Sequence, residues 1–194
     1  MNKIILILFI TAFAFTACDL FTTRDAEEPD QTRSNFQPPV EPAIVIENLK
    51  NSLSDKNVQN YIACFVDTIF ADQNFNFSAS SEATSRYDIL LNWGLSEERR
   101  YFNSISNKVP VDFPISLSLS DQNFSSLSGD SIIYSATYSL NLPVSTGDPF
   151  PKNYAGSLQF NMLRDSRSEW VIYFWKDTKS ETLPSWSELK GSSY

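Results

Sequence analysis

Apolar and polar positions alternate in three different ways along the chain, and each way predicts a different kind of structure. The first is an apolar run, Ile4 to Phe15 with Thr11 its one polar position, behind Lys3 and ahead of the small residues Thr16 and Ala17. At about a dozen residues it is too short to cross a hydrocarbon core as a helix, which takes ~20. Its flanks are those of a signal peptide. The second is a helical rhythm after Pro42: Val45, Ile46, Leu49 and Leu53 recur every three or four residues, and Val58, Tyr61, Ile62 and Phe65 follow suit. Two packed helices are expected there, with Asp55 as a candidate N-cap of the second. The stretch 81–93 reads as a further helical patch closed by Gly94. Ser96, Glu97 and Glu98 then signal another helix start, with Phe102 and Ile105 facing inward.

From Pro110 the period drops to two. Phe113, Ile115, Leu117 and Leu119 oppose Ser116, Ser118 and Ser120, and Ile132, Tyr134, Ala136, Tyr138, Leu140 and Leu142 oppose Ser135, Thr137, Ser139 and Asn141. Tyr154, Leu158, Phe160 and Met162 repeat the alternation, so three half-buried strands are predicted. A fourth, around Trp170–Asp177, is apolar on both faces, as a covered central strand should be. Phe75 and Phe77 mark a short extended segment between the helices, and residues 121–130, 143–153 and 164–168 have turn composition. Helices followed by an antiparallel meander make an α+β domain.

Composition narrows the chemistry. The 194 residues suit one domain behind a leader and a linker, and 15 Phe, 8 Tyr and 4 Trp supply an ample core. Fifteen basic against 23 acidic residues give a net charge of −8, which argues against binding nucleic acid through a basic surface. The chain has no His, which excludes Ser-His-Asp and Cys-His catalysis and takes away the commonest metal ligand. Its 5 Gly form no phosphate-cradling loop. No cofactor and no metal are therefore expected. Residues 19–42, rich in charge, hydroxyls and proline, read as a tether.

Phe15-Thr16-Ala17-Cys18 resembles a bacterial lipobox, in which a bulky residue and two small ones precede the cysteine that receives a diacylglycerol; here Phe15 stands where Leu is usual. The resemblance implies that residues 1–17 are removed and that Cys18 becomes a lipidated N-terminus carrying the tether 18–42. The protein is then held on a bilayer by its acyl chains and does not span it. The expected place is the bacterial cell envelope on the extracytoplasmic side. Asp19 resembles an inner-membrane retention signal and the nearby acidic residues a surface-export signal, so the final leaflet stays open. Cys64, in the apolar stretch "NYIACFV", is then unpaired and reads as a core residue.

The segments "IENLKNSLSDKNVQNYIACFV", "FNF", "WGLSEERRYFNSI" and "WVIYFWKDTKSETLPSWSELKG" resemble, in order and aromatic placement, the nuclear transport factor 2-like superfamily. For residues 43–194 that likeness implies N-terminal helices packed on a curved antiparallel sheet of four to six strands, forming a cone, with Trp186 and Leu189 pinning the tail back. The superfamily includes ketosteroid isomerases and SnoaL-like cyclases and dehydratases beside many non-enzymes. Its enzymes use an Asp, a Tyr or a His projecting into the cone. Carried to this chain, the candidates are Asp67 and Asp72 as bases and Tyr134 and Tyr138 as hydrogen-bond donors, each with an ordinary role as cap, loop acid or core aromatic. Trp93, Trp170, Trp175 and Trp186 are candidates for either a ligand groove or the core. Glu97, Glu98, Arg99 and Arg100 read as a solvated helix face. The expected function is a lipid-anchored envelope protein with a non-catalytic binding or assembly domain, its partner a protein or a small apolar ligand. A cone-pocket carrier or enzyme of the SnoaL or ketosteroid isomerase kind is the alternative.

Overall fold

A computed structural model describes residues 35–194 apart from Thr146. The leader, Cys18 and most of the tether lie outside the described residues. Residues 35–41 are extended and held to the domain: Asn48 exchanges two hydrogen bonds with the backbone of Gln37, at 2.9 and 2.6 Å, and the Pro39 carbonyl accepts from the Trp170 N–H at 2.7 Å.

Helix α1 spans Pro42–Ser54 and α2 spans Val58–Ala63. Proline at the first position suits a helix start, where its missing N–H would have no partner anyway. The stripe Val45, Ile46, Leu49 and Leu53 is buried as its spacing predicts. Asp55 is not the N-cap of α2; it ends α1, and Asn57 caps α2 by accepting from the Asn60 N–H at 3.0 Å. The turn between the helices has Lys56 at φ 53°, and its ammonium donates to the carbonyls of Pro110, Val111 and Phe113, at 2.7 to 3.0 Å.

Strand β1, Asn76–Ser78, is followed by a short helix α3, Ser81–Thr84, and a 3-10 turn, Asp88–Asn92, where one longer helical patch was expected. Helix α4, Leu95–Lys108, comes next. Gly94 does not stop a helix but starts this one: its N–H donates to the Glu97 carboxylate at 3.1 Å, the N3 residue reaching back to the cap.

Strands β2, Ser116–Ser128, β3, Ser131–Asn141, β4, Asn153–Arg164, and β5, Trp170–Lys179, form the antiparallel meander, and helix α5, Trp186–Ser193, closes the chain. The sheet order is β1-β5-β4-β3-β2. β1 joins β5 in parallel, with Phe77 opposite Trp175, so the five-stranded sheet is mixed rather than wholly antiparallel. Residues 121–128, expected as a turn, continue β2. A bulge at Asp121, φ 52°, resets the register between Ser120 and Asn123, and Phe124 then pairs with Tyr134 at a ring-centroid distance of 4.7 Å. Phe113 precedes the strand and is exposed, while Ile115 and Leu117 are buried as predicted.

The concave face of the sheet carries Tyr134, Ala136, Tyr138 and Leu140 from β3, and Tyr154, Leu158, Phe160 and Met162 from β4. Gly156 is required there, because a Cβ would lie 2.2 Å from the Thr178 carbonyl oxygen and 2.8 Å from the Tyr138 hydroxyl. Helices α1, α2 and α4 cover this face, with Tyr61 stacked on Phe102 at 3.9 Å. Among the described residues no helix is long and apolar enough to cross a membrane.

Candidate functional site

The inner space of the cone is where a ligand would bind if one were to reach the sheet's concave face, and the chain's own C-terminus occupies it. Ser185 caps α5 and Glu188 reaches back to the Ser185 N–H at 2.7 Å, which fixes the helix start. Trp186, Leu189 and Lys190 then share one face by i, i+3, i+4 spacing, and all three are fully buried. Gly191 lets the helix settle: a Cβ there would meet the ring of Tyr87 at 2.4 Å.

Lys190 ends on Glu98. Its ammonium lies 2.5 Å from Glu98 Oε2, and both side chains are 0% exposed. Tyr61 donates to Glu98 Oε1 at 2.6 Å and the Trp93 indole N–H to Oε2 at 2.7 Å, so both carboxylate oxygens are matched. The ammonium also sits over the rings of Trp175 at 3.6 Å and Phe77 at 3.8 Å, with Tyr101 and Trp93 within 5.6 Å. Ring faces are negative, so this cage offsets part of the cation's lost hydration. Burial pushes the Lys190 ammonium below its ordinary range, while the charge and hydrogen bond of Glu98 hold it up. The same burial, beside Glu98, pushes the phenols of Tyr61 and Tyr101 upward, so they stay protonated. Trp175 offers the cation its ring face, and its Nε1 has no hydrogen-bond partner among the described residues.

A second buried carboxylate anchors the helix start. Asp177 Oδ1 accepts from the Tyr138 hydroxyl at 2.8 Å, and Oδ2 accepts from the N–H and hydroxyl of Ser187 at 2.8 and 2.5 Å. The Tyr138 oxygen in turn accepts from the Trp186 N–H at 2.7 Å, and the Trp186 indole donates to Tyr101 at 2.6 Å. A carboxylate at the first turn of α5 also meets the positive end of the helix dipole. Burial raises the Asp177 carboxyl above its ordinary value, against the hydrogen bonds from Ser187 and Tyr138.

Of the candidates read from sequence, Tyr134 and Tyr138 do face the concave side. Tyr134 donates to Gln122 at 2.8 Å, and Tyr138 is spent on Asp177 and Trp186. Asp67 and Asp72 are exposed. Asp67 accepts from the Ile69 N–H at 2.9 Å in its own turn, and neither aspartate joins the tyrosines. The four tryptophans are core residues. Glu98 is the clearest correction: Arg99 and Arg100 are solvated as expected, but Glu98 lies on the buried stripe with Tyr101, Phe102 and Ile105. That i, i+3, i+4, i+7 spacing was the signal that could have found it. Cys64 is buried and free, its thiol pushed well up by burial, which makes it inert. No group of three or more His, Cys, Asp or Glu side chains among the described residues could hold a metal ion.

Both inner carboxylates, Glu98 and Asp177, are thus matched by donors from the surrounding elements. What the cluster does is lock α5 to the sheet and to α4. The same architecture recurs in solved structures. A candidate dehydratase of the nuclear transport factor 2-like family from Streptomyces avermitilis superposes with a TM-score of 0.52 at 12% identity, covering 71% of this chain and 92% of that one. The fold is nuclear transport factor 2-like. A candidate scytalone dehydratase from Novosphingobium aromaticivorans gives 0.53 at 11% identity, covering 70% and 79%. A nuclear transport factor 2-like superfamily protein from Salmonella enterica gives 0.51 at 10%, covering 71% and 88%. No protein-family model and no curated protein matches the sequence. At these identities the likeness extends to the nuclear transport factor 2-like fold alone.

Proposed function

We propose that this is a lipid-anchored protein of the bacterial cell envelope, tethered on the extracytoplasmic side through Cys18, whose domain binds or assembles rather than catalyses. One observation carries the non-catalytic half. Lys190 and Trp186 of α5 fill the space beneath the concave sheet, and the donors Tyr61, Trp93, Tyr138 and Ser187 already take up the oxygens of Glu98 and Asp177. A pocket enzyme needs the opposite, an open cavity with a desolvated acid or base free to meet substrate. The anchor half is supported by the "FTAC" junction behind a short apolar run. An extended segment from residue 35 leads into α1, so the domain would hang from the bilayer on the preceding tether.

Labelling cells with an alkyne fatty acid tests the anchor: the wild-type chain incorporates it and fractionates with membranes, and Cys18→Ser does neither. Label that persists in Cys18→Ser refutes lipidation at this residue. For the domain, incubation with a Δ5-3-ketosteroid is expected to give no isomerisation. Turnover that is abolished by Tyr138→Phe would return the protein to the enzymes.

A further inference from the structure

Asn35, where the described residues begin, is held at the C-terminal end of α1. Its side-chain amide donates to the Asp55 carboxylate at 3.1 Å, and its carbonyl accepts from the Asn51 side chain at 3.4 Å. From there residues 35–41 run back along α1, past the Gln37–Asn48 pair, to the helix start. The point where the preceding segment enters the domain is therefore fixed beside the α1–α2 turn.

Lys56, in that same turn, holds a second segment. Its ammonium takes the carbonyls of Pro110, Val111 and Phe113, and the Phe113 N–H donates to the Pro110 carbonyl at 3.1 Å. Residues 110–114, bounded by Pro110 and Pro114, are thus a pinned turn between α4 and β2. It presents apolar side chains to solvent. Val111 is 85% exposed, more than any other large apolar residue among those described, and Phe113 is 54% exposed. The three carbonyls behind them already accept from Lys56, so taking water away from the turn does not strand them. Apolar tips on a backbone with matched carbonyls suit a surface that holds little water.

The tether decides which surface that is. With Cys18 lipidated, residues 18–34 separate the acyl chains from Asn35. A polar linker of that length has a root-mean-square span of roughly 20–25 Å, less than the roughly 40 Å across a compact domain of this size. The end of the domain that carries Asn35 is then the end most often at the membrane, and Val111 and Phe113 are on it. Attachment also keeps the local concentration of bilayer high, so a contact made by two side chains is enough to be populated. Asp112, exposed between them, keeps the turn at headgroup depth, because a charge in hydrocarbon is costly. Lys56 and Lys108 are balanced nearby by Asp55 and Asp112, so a zwitterionic lipid suffices.

We propose that the 110–114 turn docks this end of the domain onto the bilayer, with Val111 and Phe113 entering the interfacial zone. The inference rests on lipidation at Cys18.

The test uses the full-length chain reconstituted into phosphatidylcholine vesicles, with an environment-sensitive fluorophore attached to Val111→Cys or to Ile69→Cys. Cys64 is buried and does not compete for the label. Ile69 is the control: it is 79% exposed and lies by the β4–β5 turn, where the Phe70 carbonyl accepts from the Ser166 N–H at 2.9 Å, at the end of the sheet opposite the start of β2. At residue 111 the emission should shift to the blue on vesicles and be quenched by nitroxide-labelled lipid, and at residue 69 it should do neither. Phe113→Ser should weaken the quenching at 111 while the chain still floats with the vesicles. Equal quenching at the two positions overturns the proposal, as does a blue shift at 111 without quenching, which would mean cover by protein. A chain that floats while its 111 label stays unshifted and unquenched brings down this inference alone. One that does not float brings down the anchor and this inference with it.

Discussion

Helix α5 divides two neighbourhoods that treat polar groups in opposite ways. On its inner side Lys190 enters an aromatic cage and meets a carboxylate whose two oxygens are both matched, within a region sealed from water. On its outer side Glu188 and Arg86 stand at the margin of an open cavity, and the nearby Tyr154 hydroxyl is buried with no partner among the described residues. Matched buried charge makes a structural lock, because any movement of α5 would strand an ion in a low-dielectric interior.

The largest test breaks the lock. Lys190→Met removes the cation and leaves the Glu98 carboxylate buried without it, which should cost about 3–5 kcal/mol in chemical denaturation. The double variant Glu98→Gln/Lys190→Met should regain much of that loss, since neither ion then remains buried. If the double variant is no better than the single, the cage around the ammonium, not the ion pair, holds the helix.

Tyr138→Phe probes the second anchor. Asp177 loses one donor and the Trp186 N–H its acceptor, so a loss of about 1–3 kcal/mol is expected, read from the denaturation midpoint. An unaltered midpoint would mean that Ser187 alone secures Asp177.

How much of this was legible in the sequence differs sharply between the fold and the site. Periodicity placed α1 and the inward faces of β3 and β4, because burial of apolar side chains is what periodicity records, whereas the pinning residues Trp186 and Leu189 came from the family likeness. It could not place β1 beside β5, since parallel pairing of a three-residue strand is a tertiary choice with no local signature. It misjudged residues 121–128, where serine and asparagine look like a turn until a bulge at Asp121 restores the pairing. The buried charges were hidden by a reasonable rule, that Glu and Lys are seldom fully buried unless paired. Their partners lie 92 residues apart in the chain, so nothing local announced the pair. Only the positions of Glu98 and Lys190 on otherwise apolar stripes hinted at it. That the Tyr154 hydroxyl lacks a partner among the described residues had no hint at all, because this is a property of packing.

Glu188 sits between the two neighbourhoods, and its effect should depend on pH. Burial raises its carboxyl, but the hydrogen bonds from Lys179 and Ser185 and the charges of Lys179 and Arg86 outweigh this and hold it below its ordinary value of 4.5. A carboxyl lowered in the folded state stabilises above the unfolded value, and the benefit fades as pH falls through the folded one. Glu188→Gln should therefore lower stability by about 1 kcal/mol at pH 7. The gap to wild type should close as the pH drops below 4.5. A gap that stays constant down the acid range would mean that the cap geometry, not the charge, is what Glu188 supplies.

The smallest effect is expected where sequence reasoning first looked for a catalytic base. Asp72 is exposed, and Asp67 bonds within its own turn, its carboxylate accepting from the Ile69 N–H and its carbonyl from Phe70 and Ala71. Asp72→Ala should change stability by no more than about 0.5 kcal/mol, the usual range for surface sites without a special contact. A loss of stability near that of Tyr138→Phe would mean that the 67–72 turn is coupled to the cone, and that the division drawn at α5 is in the wrong place.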